Sequence, residues 1–159
     1  MNPNISSIKF KCVFNTSFGQ ELRIVGNIEE LGTNFFIKGC WEPEKSMKME
    51  TNSQIYPTWT SSCEITLPKG VSILYKYIIY DKKHKVYIWE SLPNNINRKY
   101  QAVSPGLTTI NDHQGKLQSY YEKASDEVIM KEDTYFHDSI KDINKFVKKT
   151  SNLVGFYLI

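Results

Sequence analysis

From residue 71 to residue 80 the chain reads Val-Ser-Ile-Leu-Tyr-Lys-Tyr-Ile-Ile-Tyr. Ile73, Tyr75, Tyr77 and Ile79 fall on one face, and Leu74, Lys76, Ile78 and Tyr80 on the other. A period of two is the signature of a β-strand. Its second face is unusual, because Lys76 stands among apolar neighbours. Residues 8–14 alternate as cleanly, with Ile8, Phe10, Cys12 and Phe14 opposed by Lys9 and Lys11. A second strand over residues 22–25 closes on the turn pair Gly26-Asn27. Trp59, Ser61, Cys63, Ile65 and Leu67 share one face of a third, which Pro68-Lys69-Gly70 ends in a tight turn. Shorter strands are expected at residues 86–90, 99–103 and 107–110. Together they predict an all-β chain, an immunoglobulin-like antiparallel β-sandwich of about seven strands.

Composition agrees, since 13% of the 159 residues are Phe, Trp or Tyr, side chains that suit a pleated surface. It also narrows the function. The net charge of +3 comes from 20 basic and 17 acidic residues mixed along the chain. Lys82-Lys83 and Lys148-Lys149 read as solvated surface, so no nucleic-acid footprint is expected. No stretch approaches a membrane span, and residues 1–7 hold no apolar leader. Cys12, Cys40 and Cys63 are too few and too dispersed for a metal site or a disulfide framework. Cys12 and Cys63 read as small core residues, and a reducing, cytoplasmic setting is expected. His84, His113 and His137 are isolated, so neither a metal nor a cofactor is expected.

The pattern changes after Asp112. Leu117, Tyr120, Tyr121, Ala124 and Val128 recur at helical spacing, as do Phe136, Ile140, Ile143 and Val147. They predict a C-terminal helical extension, either two amphipathic helices or one broken at Lys131-Glu132-Asp133. Its apolar stripes would pack on the parent domain or meet a protein partner. The expected organisation is a sandwich over residues 8–112, complete without the segment 113–159.

Glucose has hydroxyls around its rim and an apolar face of C–H groups that can lie flat on an indole. A sugar-binding surface therefore needs exposed aromatic plates flanked by Lys, Asn and carboxylates. Three separated places offer that set: Trp41, Lys76, and the run Trp89-Glu90 with residues 94–97 behind it. The order of motifs around them is distinctive. Thr16-Ser17-Phe18-Gly19-Gln20 is followed by Leu22-Arg23-Ile24-Val25-Gly26-Asn27 and by Glu30-Leu31-Gly32. Trp41-Glu42-Pro43-Glu44-Lys45, Trp59, Leu67-Pro68-Lys69-Gly70 and Tyr75-Lys76-Tyr77-Ile78 come next. Trp89-Glu90-Ser91 and Asn97-Arg98-Lys99-Tyr100 complete the series. In this order the chain resembles a starch-binding domain of carbohydrate-binding module family 20 over roughly residues 8–112.

The resemblance implies roles residue by residue. Trp41 and Trp89 would be the stacking plates of the main site, with Lys76 and Glu90 hydrogen-bonding the sugar. The Asn before the Arg of the last motif would join them, either Asn97 or Asn94, with Asn97 preferred for its Arg98 neighbour. Phe18 falls where the family often has a Tyr in a second site, and Tyr56 is a candidate partner for it. Trp59 shares a face with Cys63 and Ile65 and reads as core. The sequence departs from the family in two places. Residues 33–40, with Phe35 and Phe36, intervene before Trp41, and residues 92–98 are stretched. Glu90 has no second acid placed to pair with it as glycoside hydrolysis requires. The expected function is non-catalytic binding of α-glucan, whether starch, amylopectin or glycogen. Two alternatives remain: the binding part of a glucan-processing or phosphodiesterase-type enzyme, and a protein-interaction sandwich that has lost sugar binding.

Overall fold

The alternation over residues 8–14 produces the central strand. In the computed structural model, which describes residues 4–33 and 41–124, β1 runs Ile5–Val13, and Ser6, Ile8, Phe10 and Cys12 point into the core. Its two edges are both used. β9 (Gly106–His113) pairs along one edge in parallel, from Ser6 opposite Gly106 to Val13 opposite His113. The other edge is shared by β4 (Thr58–Ser61) and β5 (Ile65–Pro68), both antiparallel. The sandwich is therefore not wholly antiparallel.

The second half of the sheet is built on β6 (Ser72–Asp81), the long alternating segment. It pairs with β2 (Gln20–Gly26), with β7 (Val86–Trp89) and with β8 (Arg98–Gln101). β3 (Met47–Glu50) joins the halves: Met47 and Lys48 pair with β2, while Met49 and Glu50 pair with β4. The continuous sheet curls, so that Phe10 of β1 meets Tyr75 of β6 edge-on with ring centres 4.9 Å apart. Ile8, Leu22, Ile24, Ile65, Ile73 and Ile110 fill the space between with no exposed surface to speak of. Trp59 is buried with them, its indole N–H donating to the Phe14 carbonyl at 3.0 Å, which bears out its reading as core.

The structure has ten strands among the described residues rather than about seven. The expected third strand is two, because Ser62, Cys63 and Glu64 break the ladder between β4 and β5. Cys63 sits in that break and is exposed, so of the two expected core thiols Cys12 alone is buried. Burial, and then the neighbouring Asp112 carboxylate, push the Cys12 thiol far above its ordinary value. β3 is short and lies between loops, where a four-residue alternation gives little signal.

The largest correction concerns residues 116–123. They form β10 (Lys116–Lys123), an edge strand antiparallel to β9, and not the start of a helix. Its register slips between Lys116 and Tyr120, which erases the period of two and leaves Leu117, Tyr120 and Tyr121 at a spacing that mimics a helix. Tyr121 packs on Tyr100 at 5.5 Å between ring centres, and the Ser119 hydroxyl donates to Asp112 at 2.5 Å. The unit therefore extends beyond residue 112, to Lys123. The remainder of the expected helical extension, with Phe136, Ile140, Ile143 and Val147, lies outside the described residues.

A chain ending at Asp112 loses β10, with the Ser119 bond to Asp112 and the Tyr121 contact with Tyr100. It should unfold at a lower temperature than one ending at Ala124, monitored by circular dichroism. Equal melting temperatures would show that β10 adds nothing to the sandwich.

Candidate functional site

Trp89 ends β7 opposite Ile78, on the face of the sheet that points away from the core, and its indole is 44% exposed. Trp41 comes from a different part of the chain. The 3-10 turn Glu29–Leu31 ends at Gly32, whose φ of 82° suits glycine. A Cβ there would lie 2.8 Å from the Glu42 carbonyl, so the close approach of the two loop stems also needs glycine. That approach is held by Glu42 N–H donating to the Gly32 carbonyl at 2.8 Å and by the bridge between Thr33 and Trp41. It brings Trp41 to Trp89: the ring centres are 6.3 Å apart and the planes 28° from parallel. The stem has its own support in Gly26-Asn27. The Asn27 side chain accepts from Leu74 N–H at 2.7 Å, while Asn27 N–H donates to the Leu74 carbonyl at 3.0 Å.

Lys76 emerges on the same outward face, opposite Val25. Only 6% of it is exposed, and its ammonium donates to Asn95 Oδ1 at 2.7 Å and to the Asn95 carbonyl at 3.3 Å. Asn95 lies in the 3-10 turn Pro93–Asn95, where Asn94 and Asn95 both have positive φ, at 56° and 52°. Asn tolerates the left-handed region better than most residues, which is why the Asn pair can make this turn. Thus the residue that meets Lys76 is Asn95, and neither Asn94 nor Asn97, both of which are exposed. The Asn-Asn pair after Pro93 was the available signal, as a turn former beside the site.

Glu90 has a different place from the one the resemblance implied. It is 6% exposed and faces inward. Arg98 grips it through two bonds, Nε to Oε1 at 3.0 Å and Nη2 to Oε2 at 2.9 Å. Tyr77 N–H also donates to Oε1 at 2.7 Å. Both carboxylate oxygens are thus committed to the protein, and its side chain is no rim contact. The pair ties residues 90 and 98, the two ends of the loop that carries Asn95. Arg98 reaches further, donating to the His113 carbonyl at 3.0 Å, the Lys116 carbonyl at 2.7 Å and Asp112 at 3.4 Å. Burial opposes its charge, but the bonds and charge of Glu90, and then Asp112, outweigh it and hold the guanidinium protonated. Tyr75 and Tyr77 donate to Asp112 at 2.9 Å each, and burial followed by that carboxylate raises both phenols well above their usual value.

The second surface lies elsewhere. Phe18 is fully exposed at the tip of the loop between β1 and β2. The Tyr56 hydroxyl accepts from Thr16 N–H at 3.1 Å and donates to the Thr16 carbonyl at 2.9 Å, fixing that loop to the one before β4. The structure therefore brings these two neighbourhoods together. Phe35 and Phe36 lie outside the described residues. A cleft of about 480 Å³ between β8, β9 and β10 is lined by Tyr100, Val103, Thr108 and Tyr121, and holds none of the expected site residues.

Residues 5–109 match the family model described as "Starch binding domain". The chain belongs to this family. Among its relatives, an alpha-amylase of Thermomonospora curvata is 36% identical over 101 residues, covering 64% of this chain and 14% of the amylase. A cyclomaltodextrin glucanotransferase of Bacillus sp. (strain 1-1) is 35% identical over 97 residues, covering 60% of this chain and 12% of that enzyme. In solved structures the fold recurs in a glycoside hydrolase family 15 glucoamylase from Hypocrea jecorina. There the TM-score is 0.57 at 21% identity, over 72% of this chain and 18% of the glucoamylase. The starch-binding domain thus spans about a seventh of the length of the relatives it matches in sequence. β10 lies beyond the matched segment, although the starch-binding domain here bonds it to Arg98.

The buried place of Glu90 gives a direct test. Glu90→Ala strands Arg98 without its principal partner and should cost about 3–5 kcal/mol of stability, measured by guanidinium denaturation. A stable Glu90→Ala protein that has lost only glucan affinity would restore Glu90 to the sugar rim.

Proposed function

We propose that this starch-binding domain holds α-glucan, such as starch, amylopectin or glycogen, on the surface made by Trp41 and Trp89, and catalyses nothing. The observation that carries the reading is the near-parallel pair of indoles, one on a strand end and one on a pinned loop, beside the Lys76–Asn95 pair. The plates offer apolar faces to the C–H side of glucose units. Lys76 and Asn95 offer donors and an acceptor to the hydroxyls, with Asn94 and Asn97 in the same exposed loop as further rim groups. Phe18 and Tyr56 form the candidate second surface. Glu90 is withdrawn from chemistry by Arg98, and a lone buried, ion-paired carboxylate cannot supply the acid pair of a glycoside hydrolase.

A second reading is favoured by the share of its relatives that the chain covers. At 14% and 12% of their length, it is the size of the binding part of a larger glucan-processing enzyme. In either case the surface would bring the polysaccharide to something else. A cytoplasmic setting, an immunoglobulin-like strand arrangement and a protein partner for the segment after residue 124 complete the proposal. The free thiols of Cys12 and Cys63 suit the first of these.

An open surface buries one face of the ligand and leaves its outer hydroxyls in water, so affinity should be modest. Maltoheptaose should bind with a Kd between about 1 μM and 1 mM. Trp41→Ala and Trp89→Ala should each lose about 2 kcal/mol or more, as aromatic hot spots do, in titration calorimetry on the folded variants. Trp59→Ala should instead lower the melting temperature. Wild-type binding by both site variants would overturn the tryptophan site, and no binding by the wild type itself would leave the interaction-module reading in place.

A further inference from the structure

The aromatic surface does not end at the two tryptophans. In β6 the residues Lys76, Ile78 and Tyr80 alternate with the inward Tyr75, Tyr77 and Ile79. Across the ladders, Trp89 stands opposite Ile78 and Tyr87 opposite Tyr80, while Arg23 and Glu21 stand opposite Ile78 and Tyr80 on the other side. Tyr87 therefore shares the outward face with Trp89, two residues earlier on the same strand, or about 6–7 Å along it. β7 ends the sheet path, so among the described residues no further strand stands beyond it.

Tyr87 is the front of a second, built cluster. Its ring lies 4.9 Å from that of Tyr80, with planes 33° apart. The Arg23 guanidinium carbon is 4.7 Å from the centre of Tyr80 and 5.8 Å from that of Tyr87. Arg23 donates to Glu21 at 3.1 Å, and the other Glu21 oxygen meets the Lys82 ammonium at 2.6 Å. Arg23 is only 8% exposed, yet its Nε has no partner among the described residues. A buried donor left unpaired is costly unless something completes its bonding. The composition repeats that of the principal site: an aromatic pair, a buried cation and polar groups at the rim. The two lie side by side on one continuous face.

We infer that the glucan track continues past Trp89 onto Tyr87, which, backed by Tyr80 and Arg23, takes further glucose units of a longer α-glucan chain. Glu21 and Lys82 meet the hydroxyls of those units, and short oligosaccharides stop at the tryptophans. This rests on the α-glucan reading above. It makes the site a reader of chain length as well as of sugar.

The test compares maltotriose with maltoheptaose by titration calorimetry, in the wild type and in Tyr87→Thr, which removes the ring and leaves a residue that suits a strand. Maltotriose affinity should stay unchanged, while maltoheptaose affinity should fall roughly 3- to 10-fold, the worth of one aromatic contact. Tyr87→Phe, which keeps the plate, should retain the wild-type difference between the two sugars. In the unsubstituted protein, the Tyr87 ring signals in NMR should move with maltoheptaose and stay with maltotriose, a readout that needs no variant to fold. An identical length dependence in wild type and Tyr87→Thr, or a Tyr87 ring indifferent to maltoheptaose, overturns the subsite and leaves the tryptophan site standing. Failure of the wild type to bind either sugar overturns the α-glucan reading itself.

Discussion

Arg98 is fully buried, and the arrangement of the site loop depends on how its charge is satisfied. A guanidinium has five N–H donors, and each must find an acceptor when water is excluded. Glu90 takes two, Asp112 and the Lys116 carbonyl take two more, and the His113 carbonyl takes the fifth. These partners are Glu90, the residue that follows β7, and residues of β9 and β10, while Arg98 itself begins β8. The Tyr77 ring covers the guanidinium at 5.3 Å, and Tyr75 and Tyr77 complete Asp112 from β6. One buried cation thereby joins both halves of the curled sheet. Ion pairs of this kind contribute little net stability over an apolar core, but losing one partner is expensive. Their effect here is geometric: the site loop is closed at its neck, and the strand end bearing Trp89 is fixed with it.

The surface outside follows from that neck. Trp89 inherits its position from Glu90, and Asn95 from a loop whose two ends are bonded together. Trp41 needs a separate device, supplied by Gly32 and the Glu42 hydrogen bond. Two rigid supports set two indoles against each other with little side-chain freedom left to lose. For the open sugar surface proposed here this matters, since ordering costs would otherwise consume much of the contact energy.

Much of this was legible in the sequence, and the failures have physical causes. The alternation of residues 8–14 and 71–80 located the two core strands because burial on one face enforces a period of two. Trp41, Lys76 and Trp89 fall together in space as the motif order implied. The resemblance implied Glu90 at the sugar rim beside Trp89, whereas the structure buries it against Arg98. What distinguishes it is pleating: adjacent residues leave a strand on opposite faces, so if Trp89 points out, Glu90 points in. The same alternation, applied from Trp89 back to Tyr87, would have put Tyr87 on the same outward face. Asn95 was hidden because a stretched loop offers several Asn residues and no register to choose between them. β10 was read as helix because its register slip removed the strand signal and left aromatic spacing that imitates a turn of helix.

The chain holds three tryptophans: Trp41 and Trp89 stack on each other, on the surface proposed to hold the sugar, and Trp59 lies in the core. Their indole N–H signals can be followed separately in a nitrogen-edited NMR titration with maltoheptaose, assigned by single Trp→Phe replacements. The account predicts that the Trp41 and Trp89 signals shift together along one binding curve while that of Trp59, bonded to the Phe14 carbonyl, stays in place. Movement of Trp59 alone, or no movement of Trp41 and Trp89 at saturating sugar, would contradict it.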